Sequence, residues 1–488
     1  MVYCRRGKGD SGKTGEETVQ DSEPRFSPFV TKLASFVLLA GMLLLAWLQV
    51  TVPKLDRVTQ PEQALALLVG REMDLDAALT REPEWARTFF EWLSSDGESE
   101  RKLAITWYEE VAVYSRRPTV QLELAILEAE DGRLEQVRRK VEAWTAGPDP
   151  FPSFARLLTV GYWGGRQDQI GGEALQAASA EALPAGWFTD RLAGRLAASS
   201  GDRAWSTAVD EALVERGKRI LQRSYGLALV QLGGIFVGAV AALLLLLRRQ
   251  EENVWRVGGA QIPPPWKGRV GMLVLVRGGA VGLVVMLAFL LLESENLLVR
   301  VLSIPLSNLP LLLLAHRYLM NRGGPGFVEC LGLRAWPGAW KPLGLVVLAA
   351  LAVGFLVEWG LGKVAEPLDL SSHWTEWFDE DLIWGGAAVV TVSLVEYVLF
   401  APLFEELVFR GLLFATLRRR FGFGLSATLS AAIFALAHGY GLLGFVSVIF
   451  SGLLWAWVYE KTGSLLPGMA AHALNNLMVC LTEMWLLR

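Results

Sequence analysis

The feature that most limits the fold of this chain is a series of apolar runs, each near the ~20 residues a helix needs to cross a bilayer. One run, 33–52, stands alone near the amino terminus. The others crowd the second half: 225–247, 271–292, 297–315, 343–361, 383–403, 425–438, 442–459 and 465–487. Inside a bilayer a backbone has no water to satisfy its polar groups, so runs of this kind fold as helices. The expected fold class is all-α: a polytopic membrane helix bundle of about nine spans. The segment 33–52 follows a polar stretch and precedes no small-residue cleavage site, so it reads as a retained signal anchor.

Composition separates a second part. The chain is 52% hydrophobic and 20% charged, yet most Asp, Glu, Lys and Arg fall before Arg223. Residues 53–223 therefore read as a soluble α-helical domain between the first and second spans. Two amphipathic segments, 118–130 and 133–144, flank Asp131-Gly132 as in an αα-hairpin. The stretch from Leu122 to Val137 looks like one tetratricopeptide-like unit, but no fixed period emerges, and a repeat-like architecture is left open. Trp85, Trp92, Trp107, Trp144, Trp163 and Trp205 are expected to fill its core, as buried aromatics usually do. Residues 1–32 are polar, with Gly, Ser and Lys, and are expected to be disordered.

Basic residues orient the chain. Arg248, Arg249, Arg256, Lys267 and Arg269 share one loop, Arg317, Arg322, Arg334 and Lys341 lie two spans later, and Arg418 to Arg420 two spans later again. This alternation places those loops and the amino terminus in the cytoplasm and the helical domain outside it, in an integral membrane protein expected in a bacterial inner membrane. A net charge of −4 gives no reason to propose a nucleic-acid partner. The cysteines (Cys4, Cys330, Cys480) form neither a disulfide framework nor a zinc-ligand spacing.

Polar stations interrupt the last spans. Glu405 and Glu406 lie in Val398-Leu-Phe-Ala-Pro-Leu-Phe-Glu-Glu-Leu-Val-Phe-Arg410-Gly. A charge near the bilayer centre costs ~3 kcal/mol or more, so such residues usually face a cavity and serve a function. Glu406 precedes Arg410 by four residues, the favourable order for an ion pair on a helix. Glu405 points about 100° away and has no partner at that spacing, which suits a general base. Alone, the pair is equally readable as a helix-end cluster with Arg410 and Arg418. His438 closes an apolar helix, where an imidazole often serves only the helix dipole. His472 and Asn476 share one face of another helix and are suited to donate to an oxyanion, or simply to bond between helices. Asn475 points elsewhere. Glu396 is a secondary intramembrane carboxylate expected to pair locally. His316 and His373 are expected to be solvated or interfacial. Residues 383–417 would run ~50 Å as one helix, so Pro402 is expected to break or bend it and begin a separate interfacial helix. Arg418 to Arg420 favour access to the site from the cytoplasmic half.

Glu405-Glu-x-x-x-Arg410-Gly411, Phe434-x-x-x-His438 and His472-x-x-x-Asn476 together resemble the three motifs of the type II CAAX prenyl endopeptidase family, with its bacteriocin-processing and bacteriocin-immunity members (the CPBP or Abi group). Tyr459-Glu-Lys-Thr-Gly-Ser-Leu-Leu-Pro467 is similar to theirs as well. The resemblance covers about residues 384–487 and leaves out the helical domain. It implies a catalytic membrane core that cleaves peptide bonds. Glu405 would activate water with help from His438, Glu406 and Arg410 would brace the site, and His472 and Asn476 would stabilise the oxyanion. No cofactor is required by this reading. If zinc were used, Glu405, His438 and His472 would hold it.

The expected function is an intramembrane endopeptidase acting on a peptide or membrane-protein substrate, with the lipid bilayer and a protein partner of the helical domain as further contacts. The alternative is a non-catalytic scaffold or immunity-type protein, which would not need Glu405. A transporter ranks last, because no inverted repeat is visible.

Overall fold

A computed structural model describes residues 24–93, 99–164, 172–251, 254–292, 296–320, 326–368 and 370–488. The expectation of a disordered stretch at 1–32 lies mostly outside these residues. Its last part, from Pro28, is already helix. Among the described residues every regular element is helical.

The first helix, α1 (Pro28–Thr51), has Pro at its opening turn, where a missing N–H costs nothing. It leads into the helical domain, formed by α2 (Pro61–Leu79), α3 (Glu84–Leu93), α4 (Ser99–Tyr114), α5 (Pro118–Glu130), α6 (Leu134–Thr145), α7 (Phe151–Trp163), α8 (Gly172–Ala182) and α9 (Trp187–Ser200). The α5–α6 hairpin turns at Gly132, whose φ of 83° suits a residue without a Cβ. Leu65, Ile105, Tyr108, Leu122, Ile126, Leu158 and Leu192 are fully buried at its centre. That core continues into Trp374, Phe378 and Leu487, so the domain is seated on one end of the membrane bundle.

Several expectations for this region are corrected. Trp107 and Trp205 are buried, but Trp85 and Trp92 are 74% and 52% exposed. His373 is not solvated: its ring is buried and bonded through Nε2 to Glu110 of α4 at 3.0 Å. No break separates the domain from the next span, since α10 (Arg203–Leu247) is a single helix of 45 residues with Asp202 capping its start. At 1.5 Å per residue it is ~68 Å long, enough to serve both parts.

The bundle continues with α11 (Gly268–Leu291), α12 (Leu297–Ala315), α13 (Trp340–Ala365), α14 (Ala387–Arg418), α15 (Phe423–His438), α16 (Leu442–Thr462) and α17 (Leu466–Leu487). Gly278 of α11 lets α12 approach closely, since a Cβ there would lie 2.6 Å from the Leu311 Cα. Among the described residues seven helices are long and apolar enough to cross a membrane, fewer than the nine or so expected, and they make this an integral membrane protein. The two that fall short are α15, whose 16 residues reach ~24 Å, and α17, whose apolar length is diluted by His472, Asn475, Asn476 and Glu483.

Candidate active site

The site is built on α14. Pro402 was expected to interrupt this helix, but α14 runs on through it, because the helix widens on both sides. Val395–Phe400 and Glu406–Phe414 are π-helical, and Pro402 opens the α-helical turn between them. The Ala401 N–H bonds back five residues to Glu396. Shifting the bonding register this way absorbs a proline without breaking the helix, and π-bulges of this kind recur at functional sites. Glu405 closes the turn, Glu406 opens the second widened stretch and Arg410 lies at its middle. The Ser430 hydroxyl donates to the Phe409 carbonyl at 2.8 Å and ties α15 to that stretch.

Glu406 and Arg410 are fully buried and ion-paired at 3.0 Å (Oε1 to Nη1). The guanidinium lies over the Phe434 ring, 4.2 Å from its centroid. No aligned hydrogen bond reaches its nitrogens from the described residues. The pair is held by charge and by the ring rather than by a hydrogen-bond lattice. The same Glu406 Oε1 accepts from His472 Nδ1 at 3.1 Å. A carboxylate only accepts, so Nδ1 carries the hydrogen and Nε2 is left for other partners. That nitrogen faces Glu405 Oε2 across 3.7 Å. The Trp455 ring stacks on His472 at 15°, 6.0 Å between centroids, and fixes its plane.

Glu405 differs from its neighbour in every respect. Its side chain is 27% exposed, and among the described residues it accepts no hydrogen bond. His438 donates Nδ1–H to the Phe434 carbonyl at 2.8 Å, which leaves its Nε2 unprotonated when the ring is neutral. Phe434 is the common wall: its ring lies 4.6 Å from His438 and 6.1 Å from His472.

One amide hydrogen of Asn476, the residue expected to act on an oxyanion, is already engaged. Its Nδ2 donates to the Tyr397 carbonyl at 2.9 Å. That carbonyl has lost both helical donors. Ala401, four residues on, bonds to Glu396, and Pro402, five residues on, has no N–H. Glu396 was expected to pair locally; its partner is instead Arg300 of α12, 96 residues away in the chain, at 3.3 Å. Sequence reasoning gave no role to Trp455, Tyr397 or Ser430. Trp455 carried no signal that would have found it, since one Trp in an apolar helix looks like any other.

The rim of the site lies at the end of the bundle that carries the helical domain, opposite Arg418 to Arg420. There α15 ends at His438, and Gly439 turns the chain at φ 66°. The Gly439 carbonyl accepts from Arg57 at 3.1 Å, just beyond α1, and the Gly441 N–H donates to Glu376 at 3.0 Å. The loop after His438 is thus fastened to the segment that enters the domain. This geometry differs from access past the arginines, because α15 rises away from them before it reaches His438.

Among the described residues, no three His, Cys, Asp or Glu side chains are gathered into a group able to hold a metal ion, and Glu405, His438 and His472 are no exception. Both Nδ1 atoms donate, one to a carbonyl and one to Glu406, which orients the rings and leaves the two Nε2 atoms as acceptors.

Residues 387–478 match the family model of the type II CAAX prenyl endopeptidase Rce1-like proteins. The match spans Glu405, Glu406, Arg410, His438, His472 and Asn476 and lies wholly within the membrane bundle. No curated protein and no solved structure matches the chain.

Proposed function

We propose that the protein is an intramembrane endopeptidase that hydrolyses peptide bonds with a water activated by Glu405, without a metal. The observation that carries this reading is the contrast between the two glutamates. Glu406 is sealed in a pair with Arg410, whereas Glu405 beside it stays partly open and uncommitted, 3.7 Å from His472 Nε2. A structural ion pair needs only the first. A free carboxylate in an apolar helix is costly unless it serves a function.

In this mechanism Glu405 takes a proton from water as the hydroxide adds to the scissile carbonyl carbon. His438 Nε2 shares that proton and returns it to the departing amine as the C–N bond breaks. The second N–H of the Asn476 amide would donate to the developing oxyanion, and His472 would join it from Nε2 as an imidazolium, with Glu406 on its other nitrogen. Glu406, Arg410 and Phe434 keep the imidazoles in place. The membrane is a bacterial inner membrane with the amino terminus in the cytoplasm, the helical domain outside, and the substrate entering from the domain side. The domain recruits a peptide, a membrane protein or an accessory protein partner.

The test is proteolysis in reconstituted liposomes against a peptide and membrane-protein library, wild type beside Glu405→Ala, with and without a zinc chelator. Cleavage by the wild type that is lost in Glu405→Ala and indifferent to the chelator is expected. Cleavage retained in Glu405→Ala refutes the role of that carboxylate. Loss on chelation that zinc restores refutes the metal-free mechanism.

A further inference from the structure

The helix α3 carries an exposed aromatic face. Trp85, Phe89 and Trp92 recur at i, i+4 and i+7, so they share one side of the helix. They are 74%, 44% and 52% exposed. Ala86 and Phe90, on the next face, are buried, with Phe90 against Tyr225 of α10 at 6.0 Å. Arg87 and Glu91 occupy the remaining side and pair with each other at 3.6 Å. Around its circumference α3 therefore presents an open aromatic stripe, a packed face and a charged face in turn.

Its position says what covers the stripe. Trp92 meets Trp359 of the membrane span α13 at 5.3 Å, and the Trp359 indole N–H donates to the Trp92 carbonyl at 3.4 Å. Lys363, one turn further along α13, donates to the Glu91 carbonyl at 3.2 Å. Tyr225 opens the apolar part of α10. Trp, Tyr and Lys at the ends of spans mark the headgroup level of a bilayer. All three touch α3, so the helix lies at that level with its aromatic stripe continuous with the lipid-facing surface of α13.

We propose that α3 is an interfacial helix whose Trp85, Phe89 and Trp92 side chains sit in the outer boundary of the bilayer and hold the helical domain against the membrane. The charged face turns to water, as in other helices that lie in the interface plane. A domain held this way stays seated at the membrane surface. The inference does not depend on the proteolytic reading.

The test uses the full-length protein in phosphatidylcholine vesicles with p-benzoylphenylalanine placed singly at Trp85, Phe89 or, as a control, Arg138, an exposed residue on α6, which packs only within the domain. None of these positions belongs to the domain core, so folding is preserved. Irradiation followed by peptide mass mapping is expected to give phospholipid adducts at Trp85 and Phe89 at least ten-fold above Arg138. Equal yields at all three sites, or no lipid adduct at any, overturn the proposal. Adducts to a second protein chain in place of lipid also overturn it and assign the stripe to a protein contact.

Discussion

Asn476 donates its side-chain amide to the Tyr397 carbonyl at 2.9 Å, and Pro402 is the reason that carbonyl is free to accept it. Removing the amide leaves the carbonyl unsatisfied in an apolar setting, which costs ~1–3 kcal/mol. Asn476→Ala is therefore expected to lower the melting temperature in detergent or nanodiscs as well as activity. Pro402→Ala restores an N–H five residues beyond Tyr397, so the double variant Pro402→Ala/Asn476→Ala recovers stability. If Asn476 acts on the oxyanion alone, the melting temperature stays put in Asn476→Ala and the second substitution rescues nothing.

The two glutamates are expected to separate catalysis from folding. Glu405→Gln lowers turnover by ~10²–10⁴ with little change in unfolding, because the carboxylate accepts no hydrogen bond among the described residues and lies 3.7 Å from His472 Nε2. Glu406→Gln leaves Arg410 buried without a counter-charge and costs ~3–5 kcal/mol. Replacing both, as Glu406→Gln/Arg410→Met, restores much of that stability, since a buried pair contributes little net. Parallel assays of turnover and thermal unfolding check the split. Equal destabilisation by the two single glutamine variants would contradict it.

Gly439 gives access to the coupling between the domain and His438. A Cβ at φ 66° is strained, and it would lie 2.7 Å from the Gln49 side-chain nitrogen. Gly439→Ala should cost ~1–2 kcal/mol and displace the loop after His438. Arg57→Ala, which removes only the tether to the Gly439 carbonyl, is expected to lower turnover several-fold with little effect on unfolding. Unaltered turnover in Arg57→Ala would show that the rim positions itself.

The helical domain carries its own pH dependence. Burial pushes the Glu123 carboxyl up to about 8, far above the usual range. Its folded state therefore holds a proton that the unfolded chain releases near its ordinary value of 4.5. The stabilisation is complete below that value and is lost as pH rises through about 8. Thermal unfolding of the full-length protein should show the domain transition falling between pH 5 and 8, and Glu123→Gln should flatten it. Unfolding that is independent of pH in the wild type would refute this.

Much of the architecture was legible in one dimension. Apolar length marks a helix that crosses a bilayer whatever it packs against, so the spans and the all-helical class could be read from local sequence. The order of Glu405, Glu406, Arg410, His438, His472 and Asn476 was visible too. What local sequence left undecided was each group's partner. Glu406 and His472 are 66 residues apart, and their bond exists only because α17 packs beside α14. The orphaned Tyr397 carbonyl arises from a change in hydrogen-bond register around Pro402 that composition does not encode. Trp85 and Trp92 looked like core residues because an aromatic ring favours any apolar surrounding, and only the placement of α3 beside Trp359 directs them outward. Helix formation in lipid is settled by each segment's own backbone, whereas the fate of a polar group depends on which neighbour reaches it, and that is decided by packing.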